Sequence, residues 1–206
     1  VNGLSSWEHA SEIIKNVGYV PGEIAFPDLK TGVDFLNSQK EFLNMNDMSY
    51  ANELIERLQL DPRANLKRMS KGMKQKTALV AALMNDAPII ILDEPTTGQD
   101  PLQSRAMMDM MVKLNRELNK TIVVITHDMS IAAEYSDRIV VTHQGNIIAD
   151  GTPREVFAKE ELLNSSNVEA PQITRLLQHA GITDPTVMDV DEAYRLLEVI
   201  KLKGEE

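Results

Sequence analysis

The chain has 206 residues, 31 of them acidic and 21 basic, for a formal net charge of −10. This length allows one sizeable core or a core with a small lobe, and the acidic balance weighs against a partner bound through a phosphate backbone, which calls for a basic face. With no cysteine, a disulfide framework and cysteine-ligated metal are excluded and a reducing compartment suits the chain; no stretch approaches the roughly 20 apolar residues of a membrane helix, and no signal peptide is visible.

Residues 12–20 contain a short strand candidate that ends at Pro21-Gly22. Residues 33–60 show helical periodicity, with Phe35, Leu36, Phe42, Leu43, Leu54, Ile55 and Leu58 as apolar positions, and Asp61-Pro62 closes the region. A helix over about 70–86 follows, with Ser70 at its N-cap and Ala78, Leu79, Ala82 and Leu83 on one face. The run 89–93 is apolar and β-branched, a buried strand, and a helix is expected over about 102–118. A second buried strand at 121–125 precedes a helix at about 129–135. Residues 138–142 and 146–149 alternate around Gln144-Gly145-Asn146, a hairpin pattern. Residues 153–163 read as a helix, 164–172 as a polar linker and 173–203 as a helical tail. Strand, helix, strand, helix in this order predicts an α/β core on a parallel sheet.

Three places carry chemistry. Asp93 and Glu94 stand together at the exit of the 89–93 strand, ahead of a proline-containing turn. Ionised carboxylates at the edge of a core are costly unless they hold a metal or do chemistry, and the carboxyl end of a parallel strand is where nucleotide sites form. The plainer alternative is an ordinary acidic turn. Residues 69–76 open a helix with Ser70, Lys71, Gly72, Met73 and Lys74. A helix N-terminus favours phosphate, Gly72 lets it approach the backbone, and the lysines add charge; alone, the segment is equally a capped helix with a solvated basic edge. His127, between Thr126 and Asp128, ends the second buried strand, where a histidine reaches a ligand shared with the neighbouring strand or simply completes a turn. His9, His143 and His179 have no comparable setting.

Taken together these motifs resemble the nucleotide-binding subunit of ATP-binding-cassette (ABC) transporters, over essentially residues 1–160. Met69–Gln75 stands where that family has Leu-Ser-Gly-Gly-Gln, Ile89–Asp93 matches the Walker B strand, Glu94 the catalytic carboxylate, Thr97–Asp100 the D-loop and His127 the switch histidine. The resemblance implies a P-loop NTPase-like ABC ATPase core, with a helical subdomain at about 33–86, spanning 1–163, and a linker with a helical tail over 164–206. It implies ATP and Mg²⁺ as cofactors, a second ATPase subunit and a transmembrane permease as partners, no nucleic acid, and a peripheral place on the cytoplasmic membrane face. Asp93 would hold Mg²⁺, Glu94 polarise the attacking water, and His127 contact the γ-phosphate. Ser70, Lys71, Gly72 and Met73 would meet nucleotide held by the opposite subunit, and Asp100 would report across the dimer.

The chain departs from the family pattern in three ways. It has no Gly-x-x-x-x-Gly-Lys-Ser/Thr phosphate loop; the opening residues look like the segment just downstream of that loop, so a few tens of residues are expected to precede them, and the chain as given is expected to be inactive. A natural pseudo-ATPase is the alternative. Second, Gly22 stands where the family has a glutamine that touches Mg²⁺; it supplies no side-chain ligand, and Glu23 is the adjacent substitute. Third, Tyr19–Glu23 and Ser70–Gln75 resemble ABC-2-type exporter ATPases, whereas Thr126–Met129, Gly151–Phe157 and Pro171–Leu176 resemble energy-coupling-factor ATPases, which power uptake of vitamins or of cobalt and nickel ions. A non-hydrolysing module of the same fold, or an ABC ATPase acting on DNA or ribosomes, are the other function classes; the charge and the lack of a coiled-coil insertion weigh against the last.

Overall fold

A computed structural model describes residues 3–166, 168–182 and 189–204. The chain divides into two compact units, Val1–Ile125 and Thr126–Glu206.

The first unit opens with a helical turn, α1 (Ala10–Ile13), and a 3₁₀ turn at Ile14–Asn16. Strand β1 (Val17–Val20) is the short strand expected within 12–20, ending just before Pro21-Gly22. Helices α2 (Gly32–Phe42), α3 (Ser49–Arg57) and α4 (Lys71–Leu83) precede β2 (Ile89–Asp93), and α5 (Pro101–Leu118) joins β2 to β3 (Thr121–Ile125). The three strands form a parallel sheet in the order β1-β2-β3, with Val20 opposite Leu92 and Asp93 opposite Ile125.

Strong local signals set the helix starts. Thr31 and Asp34 form a capping box on α2, Ser70 Oγ accepts the Met73 amide at 3.3 Å, and Asp100 Oδ1 accepts the Leu102 and Gln103 amides at 3.0 Å each. Each such cap typically contributes about 1 kcal/mol. The core gathers Leu36, Leu54, Leu79, Leu83, Ile90, Leu92 and Met111 between the helices and one sheet face.

That face carries Gly18, Val20, Ile90 and Leu92, all buried. The opposite face carries Tyr19, Val123 and Ile125, which are 53%, 43% and 51% exposed. The expectation that 121–125 is a buried strand is thus corrected. β3 is an edge strand whose residues alternate between exposed and half-buried, and a run of β-branched residues does not reveal which sheet face the helices cover.

The amino ends of β2 and β3 are pinned by a buried lysine. Lys120 is 9% exposed, and its Nζ donates to Asp86 Oδ1 at 2.5 Å and to the Asp86 carbonyl at 2.9 Å. Asp86 holds a left-handed backbone, φ +58°, and Asn115 donates to the Lys120 carbonyl at 2.6 Å. Because the Asp86 carboxylate is largely solvated, Lys120→Met is expected to destabilise by about 1–2 kcal/mol, chiefly through the orphaned carbonyl. Urea unfolding would check this, and an unchanged midpoint would sink it.

The second unit contains α6 (Met129–Tyr135), an antiparallel hairpin of β4 (Ile139–His143) and β5 (Asn146–Gly151), α7 (Pro153–Phe157), α8 (Glu160–Ser165), α9 (Gln172–His179) and α10 (Val190–Gly204). The hairpin turns on Gln144 and Gly145, both at positive φ (+48° and +78°), the backbone of a type I′ turn. The single helix expected at 153–163 is two helices, broken at Ala158-Lys159; the break lets Phe157 and Leu163 enter one core with Val141 and Ala149. The expected polar linker buries Ser166 and Ala170. The expected helical tail is α9 and α10; the part of it at 183–188 lies outside the described residues.

Candidate functional site

The site forms where β2 ends. Asp93 is its last residue, half-buried, and Oδ2 accepts the Tyr19 hydroxyl at 3.0 Å from the neighbouring strand. The hydrogen bond and the charge of Asp93 both favour the protonated phenol, so the Tyr19 pKa lies above its ordinary value. Glu94 then takes a left-handed backbone, φ +44°. Its amide donates to the Ile125 carbonyl at 2.8 Å, and its Oε2 accepts the Thr97 hydroxyl at 3.0 Å. The two carboxylates thus leave the same strand end with different hydrogen-bond donors.

Gly22 packs directly against this pair. A Cβ there would lie 3.1 Å from the Asp93 carbonyl oxygen and 3.3 Å from Glu94 Cβ. A side chain at this position would be tightly fitted, its neighbours having to give by a few tenths of an ångström, a contact that spacing alone did not reveal. Glu23 is exposed beside it.

Ser70, Lys71, Gly72 and Met73 build the first turn of α4. Ser70 is the N-cap, with extended backbone. A Cβ on Gly72 would meet nothing within 4 Å, so the space beside Gly72 is open. The Lys71 ammonium reaches to the position a Cβ on Gly98 would take, 2.9 Å away. Gly98 itself is at φ +68°. Gln75, one turn further in and 4% exposed, donates to the Pro95 carbonyl at 2.5 Å. The α4 start and the loop after β2 are therefore in contact through both Lys71 and Gln75, while Asp100 closes that loop as the cap of α5.

His127 belongs to the second unit. It is exposed, in the turn before α6, where Asp128 Oδ1 accepts the Ser130 and Ile131 amides at 3.0 and 3.2 Å. The first unit thus brings together Gly22, Asp93, Glu94 and the loop to Asp100 with the α4 start; His127 is not part of that unit.

Sequence reasoning met Tyr19, Thr97 and Gln99 only inside longer motifs and gave none of them a role of its own. Tyr19 pairs with Ile91, two residues short of Asp93 on the same face, so a diagonal cross-strand contact would have indicated it once β1 and β2 were known to be neighbours. Among the described residues no group of three or more His, Cys, Asp or Glu side chains gathers for a metal. One or two carboxylates beside substrate phosphates and water is, however, the usual donor set for Mg²⁺, and Asp93 with Glu94 fits it.

Two carboxylates leave the central strand of a parallel sheet at its carboxyl end, where open α/β sheets bind ligands. The family model described as ABC transporter matches residues 4–97. The energy-coupling factor transporter ATP-binding protein EcfA2 of Staphylococcus epidermidis is 32% identical over 212 residues, covering 96% of this chain and 70% of that protein. EcfA2 of Latilactobacillus sakei is 42% identical over 110 residues, or 53% of this chain and 38% of that one. Among solved structures, cbiO1 of Clostridium perfringens, part of the ABC transporter complex cbiONQ, superposes with a TM-score of 0.64 at 26% identity, covering 82% of this chain and 69% of that one. A dimeric ATP-binding cassette in a post-hydrolysis state with ADP and Pi superposes at 0.60 with 27% identity, over 74% and 69% of the two chains. The chain belongs to the ABC transporter ATP-binding protein family. It spans as little as 21% of the length of one further curated relative, from Methanosarcina acetivorans.

Proposed function

We propose that this chain is the ATP-binding and ATP-hydrolysing subunit of an ABC transporter and powers solute movement across a membrane. The observation that carries the reading is the paired exit of Asp93 and Glu94 from the central strand, with the α4 start docked on the same loop. Asp93 would hold Mg²⁺, which supplies charge neutralisation across the phosphates when bound. Glu94, held by the hydrogen bond its backbone N–H donates to the Ile125 carbonyl, polarises the water that attacks the γ-phosphate. By the resemblance of its position to the family's switch histidine, His127 would contact that phosphate and stabilise its charge. Reactions of this kind depend on positioning and electrostatics more than on covalent steps.

Ser70, Lys71, Gly72 and Met73 would bind nucleotide held by a second ATPase subunit, identical or related, and the open space over Gly72 suits a close approach. Asp100 would sit at the dimer seam. The dimeric post-hydrolysis cassette, with ADP and Pi, supports an assembly of two. Gly22 and Glu23 lie in the segment that would couple nucleotide to a transmembrane permease. A groove of about 230 Å³ lined by Pro21, Phe26, Phe35 and Phe42 adjoins it, and Phe26 and Phe35 meet edge to face at 4.8 Å. That groove is the surface proposed for the permease. None of the described helices is long and apolar enough to cross a membrane. By likeness to transporter ATP-binding subunits the chain's place would be peripheral, on the cytoplasmic face, and its net charge of −10 weighs against a nucleic-acid partner. In this reading residues 1–163 are the ATPase domain and 164–206 a linker and helical tail.

Residues 1–206 contain no Gly-Lys-Ser/Thr phosphate loop, and that absence favours one further reading, a binding module that does not hydrolyse. It also predicts that this polypeptide by itself binds ATP weakly and turns it over negligibly. Titration calorimetry with Mg²⁺ and ATP would test this: binding with Kd in the low micromolar range would contradict the weak-binding expectation. The ATPase reading itself is tested by supplying a phosphate-loop segment; if turnover and nucleotide-dependent dimerisation both stay absent, the non-hydrolysing module replaces it.

A further inference from the structure

We propose that Gln75 and Gln99 form a side-chain latch that holds the loop between β2 and α5 onto α4, and that Gln99 thereby acts as a positioning residue for Glu94. The network has three bonds around one carbonyl. Gln75 Nε2 donates to the Pro95 carbonyl at 2.5 Å, Gln99 Nε2 donates to the same oxygen at 2.9 Å, and Gln99 Nε2 also donates to Gln75 Oε1 at 2.6 Å. The chemistry forces this orientation. A carbonyl only accepts, so both amide nitrogens must turn toward Pro95, which leaves Gln75 Oε1 as the acceptor for the second glutamine. Gln75 and Pro95 are buried and Gln99 is half-buried, so water does not readily replace a lost partner.

The latch sits where the backbone most needs holding. Glu94 is left-handed, φ +44°, a conformation disfavoured for a residue with a Cβ. It also precedes Pro95, and residues before proline are pushed toward extended backbone. Such a conformation persists only where the surroundings over-determine it. One hold is the Glu94 amide bonded to the Ile125 carbonyl. The second is the next carbonyl along, that of Pro95, gripped by both glutamines. The loop then returns through Gly98, over which the Lys71 ammonium lies, and ends at the Asp100 cap. Gln75 is one helical turn from Lys71 and Gly72. A single latch therefore joins the acidic pair, Asp100 and the α4 start into one positioned unit. That the positioned carboxylate is the hydrolytic one rests on the function proposed above; the latch itself does not.

Hydrogen exchange on the nucleotide-free chain tests the latch without reference to catalysis. Gln75→Leu and Gln99→Leu should each speed amide exchange in 94–100 and 71–75 about tenfold, and the double variant should exceed the larger single effect by no more than about twofold. Gln99→Glu keeps the side-chain length but sets an acceptor against two acceptors, so it should open the latch at least as far as Gln99→Leu. The ¹³C signal of the Glu94 carboxyl should shift or broaden in Gln99→Leu. Thr97→Val, which removes only the hydroxyl bond to Glu94, should move that signal while leaving exchange at 71–75 as in the wild type. Exchange unchanged at both segments, exchange raised equally through β1 to β3, effects that multiply in the double variant, or a Glu94 signal indifferent to Gln99 would each overturn the proposal. An absence of ATP turnover in the assembled protein would instead count against the ATPase reading and leave the exchange result to judge the latch.

Discussion

Gly18→Ala is expected to lower the stability of the first unit by about 2–4 kcal/mol, the upper range for overpacking a tightly packed site. A Cβ on Gly18 would lie 2.1 Å from the Ala82 carbonyl oxygen, 2.8 Å from its carbon and 2.9 Å from Ile90 Cδ1. The first two are main-chain atoms of α4, so no rotamer change relieves the clash; helix and strand must separate. Leu79, Leu83 and Ile90, each 1% exposed, pack beside this contact, so separation also opens cavities. A loss of this size is a large part of the 5–15 kcal/mol typical of a whole domain. Gly72→Ala is the matched control. It lies in the first turn of the same helix, where a Cβ meets nothing within 4 Å, and helices favour alanine over glycine; its stability should be equal or slightly higher. Urea unfolding followed by far-UV circular dichroism compares the two. Equal midpoints for Gly18→Ala and wild type would show that α4 does not sit against β1 as described.

That contact exposes what a single sequence reveals and what it hides. The strands at 89–93 and 121–125 and the helix at 129–135 have the ends the sequence suggested, because runs of β-branched residues and side-chain caps such as Asp128 act over a few positions. Asp93 and Glu94 were visible for the same reason: two carboxylates after an apolar run are a local signal. The donors that hold them were not. Tyr19 reaches Asp93 across 74 positions; the loop after Glu94 is likewise tied to α4 by Gln99 bonding Gln75 across 24, and these contacts depend on which strands neighbour each other and how α4 is seated. The exposure of alternate β3 residues depends on the order β1-β2-β3, which no run of isoleucines and valines encodes. Gly22 is the instructive case. As a missing side chain it looked like a lost ligand; in three dimensions it also lies against the Asp93 carbonyl and Glu94, where a Cβ would be tightly fitted. Gly18 was readable in principle, since glycine inside a strand often marks a close backbone approach.

Glu94→Gln is expected to leave nucleotide binding within a fewfold of wild type and to slow hydrolysis by about 10²–10⁴, the usual contribution of a positioned general base. The substitution changes little besides charge. Glutamine has the same length, the backbone N–H of residue 94 still donates to the Ile125 carbonyl, and the side-chain oxygen still accepts from Thr97 Oγ1, as Oε2 does now at 3.0 Å. The strained backbone at φ +44° is equally tolerable for either residue. What disappears is the negative charge that attracts a proton from the attacking water. With binding intact and the chemical step slowed, nucleotide should accumulate in the closed assembly, so the variant should populate an ATP-dependent dimer that the wild type forms only transiently. The experiment needs the chain in an ATP-hydrolysing assembly with its phosphate loop supplied, phosphate release for the rate, and size-exclusion chromatography with Mg²⁺ and ATP for the dimer. Asp93→Asn separates the two carboxylates: its loss should weaken Mg²⁺-dependent binding itself, since Asp93 is assigned to the metal and not to the water. Hydrolysis at the wild-type rate in Glu94→Gln would remove Glu94 from the chemistry. Equal loss of binding in both variants would mean that the two carboxylates at the end of β2 share one role.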